Sequence, residues 1–408
     1  MLFDFNLYSS LLLVFFVHIL VYSFMLWRRG LKQESTSDQL LGTFLLLAAL
    51  YVIPWMTGFA GWYNGFKGPY REILFYTPFV HGLFIGPLLY LYVKSITNFH
   101  FRVQGKDWLH FAPGFLYLLW CIVVVIVDKV ILKKYYLMNG ESDPDFDGWY
   151  QLLQKISIIV YLLLSISYYR KYKRYTFFEY SFSDIAGLSW LRNFLIAFGI
   201  LTILPVVEEL LNLIPAFKQL DYIGSWYYFF AFALVVYYIA INGYSAVNVP
   251  LRKLLFEPEL LLQYQSQILL PSPEPEIQDA EFEIVTTQQP DTYLLQWKEK
   301  VTASMQQDKL YEDAELTLSQ LAKKLSTNTS VLSKVINQGF GLNFNDFVNE
   351  YRVKAVIELL KAGEQKNQTL LGIAFDCGFN SKATFNRAFK KQTGLSPKEW
   401  GQSNLSTD

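Results

Sequence analysis

Cysteine is scarce in this chain, and neither sign of charge is in excess. Its 408 residues include 2 cysteines, and 35 basic residues balance 35 acidic ones. Cys121 sits in an apolar run and Cys377 in a polar one. The pair therefore offers neither a disulfide framework nor a metal-ligand spacing, and a reduced, cytoplasmic setting fits Cys377. The first apolar run lacks a basic leader and a small-residue cleavage site, which predicts a retained anchor rather than a cleaved signal. A polar face is missing too. Stretches such as "LYSSLLLVFFVHILVYSFMLW" carry no polar stripe, and a water-soluble helix requires one.

What the chain does have is apolar side chains, 52% of the total with 18% aromatic, and they are unevenly spread. A bilayer core of ~30 Å needs ~20 apolar helical residues. Seven stretches qualify, at about 7–27, 39–59, 73–94, 109–127, 152–169, 193–213 and 226–242. The first, third and fifth connections hold "RRGLK", "KSITNFHFRVQGK" and "RKYKR", the seventh stretch is followed by "LRK", and the fourth connection holds "ESDPDFDGW". Basic residues stay on the cytoplasmic side, so an outer N-terminus and an inner C-terminus are predicted. Pro54, Pro78, Pro87, Pro113 and Pro205 either kink helices or mark their ends. Clusters such as "GWYNGFKGPY" read as interfacial aromatic belts.

Charges in hydrocarbon cost ~2.5 to 3.5 kcal/mol even on lenient scales, so polar residues within the spans are the candidates for sensing. They are His18, His81, Glu208 and Glu209. The adjacent glutamates lack partner residues at helical spacing, and a position near the outer interface accounts for them better than catalysis.

Beyond residue 244 the composition becomes that of a soluble protein. Residues 251–290 hold 2 basic against 7 acidic residues and include "PSPEPE", which predicts a solvated, extended linker. Residues 317–401 hold 12 basic against 6 acidic residues, the balance of a polyanion-binding module.

That module contains a repeat. Leu318, Leu321, Ala322 and Leu325 recur 52 residues later as Leu370, Ile373, Ala374 and Cys377. Leu332, Val335, Ile336, Gly341, Leu342 and Phe347 recur 53 residues later as Phe385, Ala388, Phe389, Gly394, Leu395 and Trp400. The two copies thus differ by one residue in the connecting turn. Each reads as a short helix, a turn, and a second helix with one face free, which is a helix-turn-helix. The free face of the first copy carries Thr329, Ser330, Ser333, Lys334 and Asn337. That of the second carries Ser381, Lys382, Thr384, Asn386, Arg387 and Lys390, with Lys391 beside it. Hydroxyls, amides and cations are the groups that meet base edges and phosphates, and both faces lack acids, which an ordinary solvated face would include. Between the copies one helix of about 17 residues, 344–360, is ~25 Å long and would set the two faces about one DNA turn apart.

The run from about Tyr293 to Trp400 resembles the DNA-binding domain of the AraC/XylS family of bacterial transcription regulators. The residues that carry it are "LTLSQLAKKLSTNTSVLSKVINQGFGLNFNDFVNEYRV" and, more specifically, "IAFDCGFNSKATFNRAFKKQTGLSPKEW". The resemblance covers roughly a quarter of the chain. It implies sequence-specific promoter binding and action on RNA polymerase, and nothing about the spans. Val356 departs from it, standing where the family usually has alanine. Seven spans ahead of such a domain are also similar to a known arrangement of membrane-bound regulators.

The expected architecture is all-α. A seven-helix transmembrane bundle occupies 1–244 and an acidic, proline-containing linker 245–291. A double helix-turn-helix domain occupies 292–401, with helix-turn-helix 1 at about 318–338, the spacer at 344–360 and helix-turn-helix 2 at about 370–391, and a tail follows at 402–408. The expected setting is the bacterial inner membrane with the DNA-binding domain in the cytoplasm. Double-stranded DNA, RNA polymerase, the lipid bilayer and a second copy of the chain are the expected partners, with no cofactor, no metal and no enzymatic site. The alternative is a membrane enzyme or transporter with an accessory DNA-binding tail; it needs a convergent polar site in the spans, and the sequence offers none.

Overall fold

Side-chain caps and proline breaks divide the chain into helices. The structure, a computed structural model, describes residues 6–63, 69–98, 100–138, 144–181, 186–211, 213–214, 221–246, 256 and 290–405. In chain order the helices are α1 (Leu7–Lys32), α2 (Thr36–Phe59), α3 (Pro69–Tyr76), α4 (Gly82–Thr97), α5 (Ala112–Val125), α6 (Gly148–Glu179), α7 (Ala186–Leu211) and α8 (Asp221–Ser245). There follow α9 (Pro290–Gln307), α10 (Leu318–Lys324), α11 (Thr329–Phe340), α12 (Phe344–Lys361), α13 (Leu370–Asp376), α14 (Lys382–Thr393) and α15 (Pro397–Leu405). Among the described residues there is no β-strand, only an isolated antiparallel bridge between Tyr180 and Thr317. Two compact units result, one of Met1–Arg170 with Ala186–Leu255, the other of Lys171–Ile185 with Phe256–Asp408. The acidic linker expected at 245–291 lies almost wholly outside the described residues.

In the first unit α1 packs on α2 and α8, and α7 packs on α8. Small residues bring α1 and α2 close. A Cβ on Gly42 would lie 2.6 Å from the Trp27 ring, and the Ser23 hydroxyl donates to the Gly42 carbonyl at 2.7 Å, a packing mode suited to helices in lipid. Arg29 grips both carboxylate oxygens of the buried Asp38 at 2.7 and 3.1 Å and donates to the Tyr244 carbonyl at 2.6 Å. One guanidinium thereby ties α1, α2 and the end of α8 together.

Among the described residues six helical segments are long and apolar enough to cross a membrane: Leu7–Lys32, Thr36–Phe59, Gly105–Ile131, Gly148–Thr176, Ser189–Leu211 and Ser225–Ser245. Their outward residues are large and apolar, with Leu116 66%, Leu163 62% and Ile203 60% exposed. Soluble monomers rarely show so much contiguous apolar surface, and hydrocarbon is the solvent it suits.

The remaining expected span, 73–94, is not one helix. It is divided into α3 and the shorter apolar α4, with 77–81 non-helical between them. Pro78 has no N–H and disfavours helix at Thr77. The groups set free by the break are caught from the connection before α6. Asp145 Oδ2 accepts from the Phe79 and Val80 N–H groups at 2.7 and 3.0 Å. The Tyr150 hydroxyl donates to the Val80 carbonyl, and the Tyr117 hydroxyl to Asp145. Broken helices persist at membrane depth only when their backbone groups are satisfied in this way.

The second unit is built around α12. Val353, Val356 and Leu360 bury one face against Ile373, Ala374 and Cys377 of the second copy and its Phe379, Phe385 and Phe389. Val356 is fully buried there, so the larger side chain is absorbed by the core. Leu321, Leu332, Val335 and Ile336 of the first copy are buried as well, and α9 packs on α11. The last residues of α6 also belong to this unit.

Candidate nucleic-acid interface

The repeat read from the sequence is a repeat of backbone geometry. Thr317 and Thr369 cap α10 and α13, each hydroxyl accepting an N–H three residues on at 3.1 Å. Both helices end the same way: Thr327 N–H donates to Ala322 O at 2.9 Å, and Phe379 N–H to Ala374 O at 3.0 Å. These six-to-one bonds turn the chain through a left-handed residue, Ser326 (φ 52°) in copy 1 and Gly378 (φ 90°) in copy 2. Asn328 and Ser381 then cap α11 and α14, and Gly341 and Gly394, both left-handed, end them. The offset is 52 up to Phe379 and 53 from Ser381 onward, which identifies Asn380 as the additional residue.

Lys334 on α11 and Lys382, Asn386, Arg387 and Lys390 on α14 are exposed. Thr329, Ser330, Ser333 and Asn337 are half-buried on α11, where Asn337 donates to the Ser333 hydroxyl at 3.4 Å. Two of the expected contacts are placed differently. Thr384 is 1% exposed and packs beneath the Ser381 cap, 3.0 Å from its hydroxyl, because the first turn of α14 folds it inward. Lys391 is exposed but pairs at 2.7 Å with Asp346 at the start of α12. The spacer is 18 residues long, ~27 Å.

Arg352 is the residue that sequence patterning missed. It looks like one more cation on a solvated helix, yet it is completely buried. Its guanidinium donates to the Tyr311 and Asp313 carbonyls, both at 2.8 Å, and to the Ser181 hydroxyl at 3.2 Å. Burial lowers its pKa to about 10, which leaves it charged at neutral pH. The same burial pushes the Cys377 thiol up to about 12, so it is protonated and inert there.

The Ser181 contact belongs to a larger set. The Ser319 N–H, in the first turn of α10, donates to Glu179 at 3.2 Å, and the Ser181 N–H donates to Leu316 O at 3.4 Å. Asn345 and Asn349 of α12 donate to the Tyr180 and Ser181 carbonyls at 3.3 and 3.4 Å. Glu179, Tyr180 and Ser181 are all buried. The end of α6 is thus stitched to the first helix of copy 1 and to the spacer.

The polar candidates within the spans do not converge on one site. His18 is exposed and its ring nitrogen lies 2.7 Å from Val14 O. His81 precedes α4 without a side-chain cap bond. Glu208 accepts from the Ser225 hydroxyl at 2.9 Å, whereas the exposed Glu209 pairs with Lys155. Among the described residues no group of three His, Cys, Asp or Glu is arranged to hold a metal.

Residues 321–403 match the protein family described as "Helix-turn-helix domain". An uncharacterized HTH-type transcriptional regulator of Staphylococcus aureus (strain COL) is 34% identical over 92 residues, 22% of this chain and 12% of that protein. YtdP of Bacillus subtilis (strain 168), also an uncharacterized HTH-type transcriptional regulator, is 28% identical over 90 residues, 22% of this chain and 11% of that protein. The match therefore spans about one-eighth of these relatives' length. No solved structure matches the chain. The C-terminal region is an AraC-type helix-turn-helix domain, of the kind that binds DNA, and it follows a region of apolar helices.

Proposed function

We propose that the protein is a membrane-embedded, one-component transcription regulator that reads a specific DNA sequence with its C-terminal domain. The observation that carries this reading is the pair of consecutive, identically capped helix-turn-helix units whose second helices present cations, amides and hydroxyls without acids. The DNA-facing residues are Thr329, Ser330, Ser333, Lys334 and Asn337 in copy 1 and Lys382, Asn386, Arg387 and Lys390 in copy 2. Ser381 acts mainly as a cap, and Thr384 and Lys391 position α14.

In this reading the six long apolar helices and the broken α3–α4 segment make seven crossings of the bacterial inner membrane. The N-terminus lies outside and the DNA-binding domain in the cytoplasm, with RNA polymerase as the partner at the promoter. The membrane half senses a signal, or tethers and pairs two tails, and pairing multiplies weak binding through effective concentration. Support for communication between the halves comes from α6, one continuous helix whose end is hydrogen-bonded to α10 and α12.

The test is selection and sequencing of genomic DNA fragments bound by the full chain in lipid nanodiscs, with Arg387→Ala as control. Enrichment of one motif of two boxes about a helical turn apart, lost in the variant, is the expected result. Salt-sensitive binding without a motif, in full chain and artificially dimerised tail alike, would refute sequence-specific regulation.

A further inference from the structure

We infer that the helix bundle contains a binding site for a small, neutral, aromatic-ring-sized molecule bearing one hydroxyl or amide group. A cavity of about 160 Å³ lies among α2, α4, α6, α7 and α8. A dry cavity of about this size accommodates benzene, so the occupant has on the order of six to ten heavy atoms. Phe44, Tyr51, Phe198, Tyr228 and Phe232 supply aromatic walls, which suit a ring in edge or offset contact.

Three polar groups on the lining have unused hydrogen-bonding capacity. The Gln154 amide, 7% exposed, donates to Gln151 Oε1 at 2.8 Å, and its own Oε1 accepts no hydrogen bond among the described residues. The Tyr51 and Tyr228 hydroxyls lie 3.2 Å apart and share one hydrogen bond, which leaves one O–H proton to spare. The His81 ring makes no hydrogen bond among the described residues. A buried polar group without a partner costs free energy, so a ligand that both donates and accepts gains more here than an apolar one. Lys155 is paired with Glu209, which removes the attraction for an anion, and among the described residues no carboxylate lines the cavity, so a neutral guest suits it. The cavity wall includes Gln151, Gln154 and Lys155 of α6, the helix whose other end meets the DNA-binding domain.

Phenol and toluene, equal in heavy-atom count and differing in the hydroxyl, are the probes. Saturable binding to the full chain in nanodiscs is measured by equilibrium dialysis against empty nanodiscs. The expected result is one phenol per chain, bound about tenfold more tightly than toluene. Gln154→Met should bring phenol down to the level of toluene, and Ala48→Phe, which fills the cavity, should abolish both. Equal binding of phenol and toluene by the wild type, as an acyl chain lodged in the cavity would produce, overturns the inference. So does saturable binding that persists in Ala48→Phe, or wild-type uptake no greater than that of the lipid alone. Binding is read directly, so these outcomes leave the DNA-binding reading standing; an unchanged thermal unfolding transition and helical circular dichroism of each variant in nanodiscs is the check that the bundle has folded.

Discussion

Copy 1 and copy 2 of the helix-turn-helix cap their helices at matching positions and both turn through a left-handed residue, but they face different surroundings. The second helix of copy 1 exposes one cation, Lys334, whereas that of copy 2 exposes Lys382, Arg387 and Lys390, with Lys391 alongside. Copy 1 instead meets the end of α6, through Glu179 at the first turn of α10. In copy 2 the left-handed turn residue is pressed against its neighbours: a Cβ on Gly378 would lie 2.2 Å from Tyr311 O, while Ser326 of copy 1 is exposed. The same local fold thus serves two ends. On the proposed function copy 2 would hold DNA through charge, while copy 1 is bonded to the end of α6.

The strongest way to break this arrangement is at the residue between the copies. Arg352→Met should destabilise the tail by about 3 kcal/mol or more, because the Tyr311 and Asp313 carbonyls lose their donors inside the core. Hydrogen exchange of tail amides in the full chain would register it. Next, Gly378→Ala should cost about 2–3 kcal/mol by the same readout, since φ is 90° and the Cβ collides with backbone. Ser326→Ala at the equivalent position should change stability by less than about 0.5 kcal/mol. Equal effects at the two positions would erase the distinction.

The charge difference predicts a graded loss of DNA affinity. Arg387→Ala should weaken specific binding by about 1–3 kcal/mol, and Lys334→Ala by less, in titrations at matched salt. The reverse order would make copy 1 the anchor. The smallest effect concerns pH. Hydrogen bonds from the Ser396 hydroxyl and N–H hold Glu399 below its usual 4.5. A carboxylate with a lowered folded pKa contributes stability above its unfolded value and loses it as pH falls through the folded one. The acid-side rise in exchange of α15 amides should therefore be shallower in Glu399→Gln, with copy 1 unaffected.

Patterns that repeat along the chain were legible in the sequence. The apolar periods, the short-helix, turn and second-helix layout of each copy and the one-residue difference between copies all arise from neighbours within a few residues. Features set by distant partners were not. Pro78 alone did not say whether its segment kinks or breaks, because the answer depends on Asp145, which the sequence presents as one more acid in a polar connection. Arg352 resembled a surface cation since its acceptors lie 39 and 41 residues earlier. Glu179 and Ser181 gave no signal at all, their partners being more than a hundred residues further on. Thr384 fell on the free face by count, yet the cap geometry turned it inward.

Asn380, the single additional residue of copy 2, makes the tandem unequal by construction. Two readers joined head to tail, with different turns and different charge, cannot be exchanged by rotating the DNA end for end. On the proposed function a site recognised by one tail has a direction, as a word does, and reversing it would set the two copies on the DNA in the opposite order.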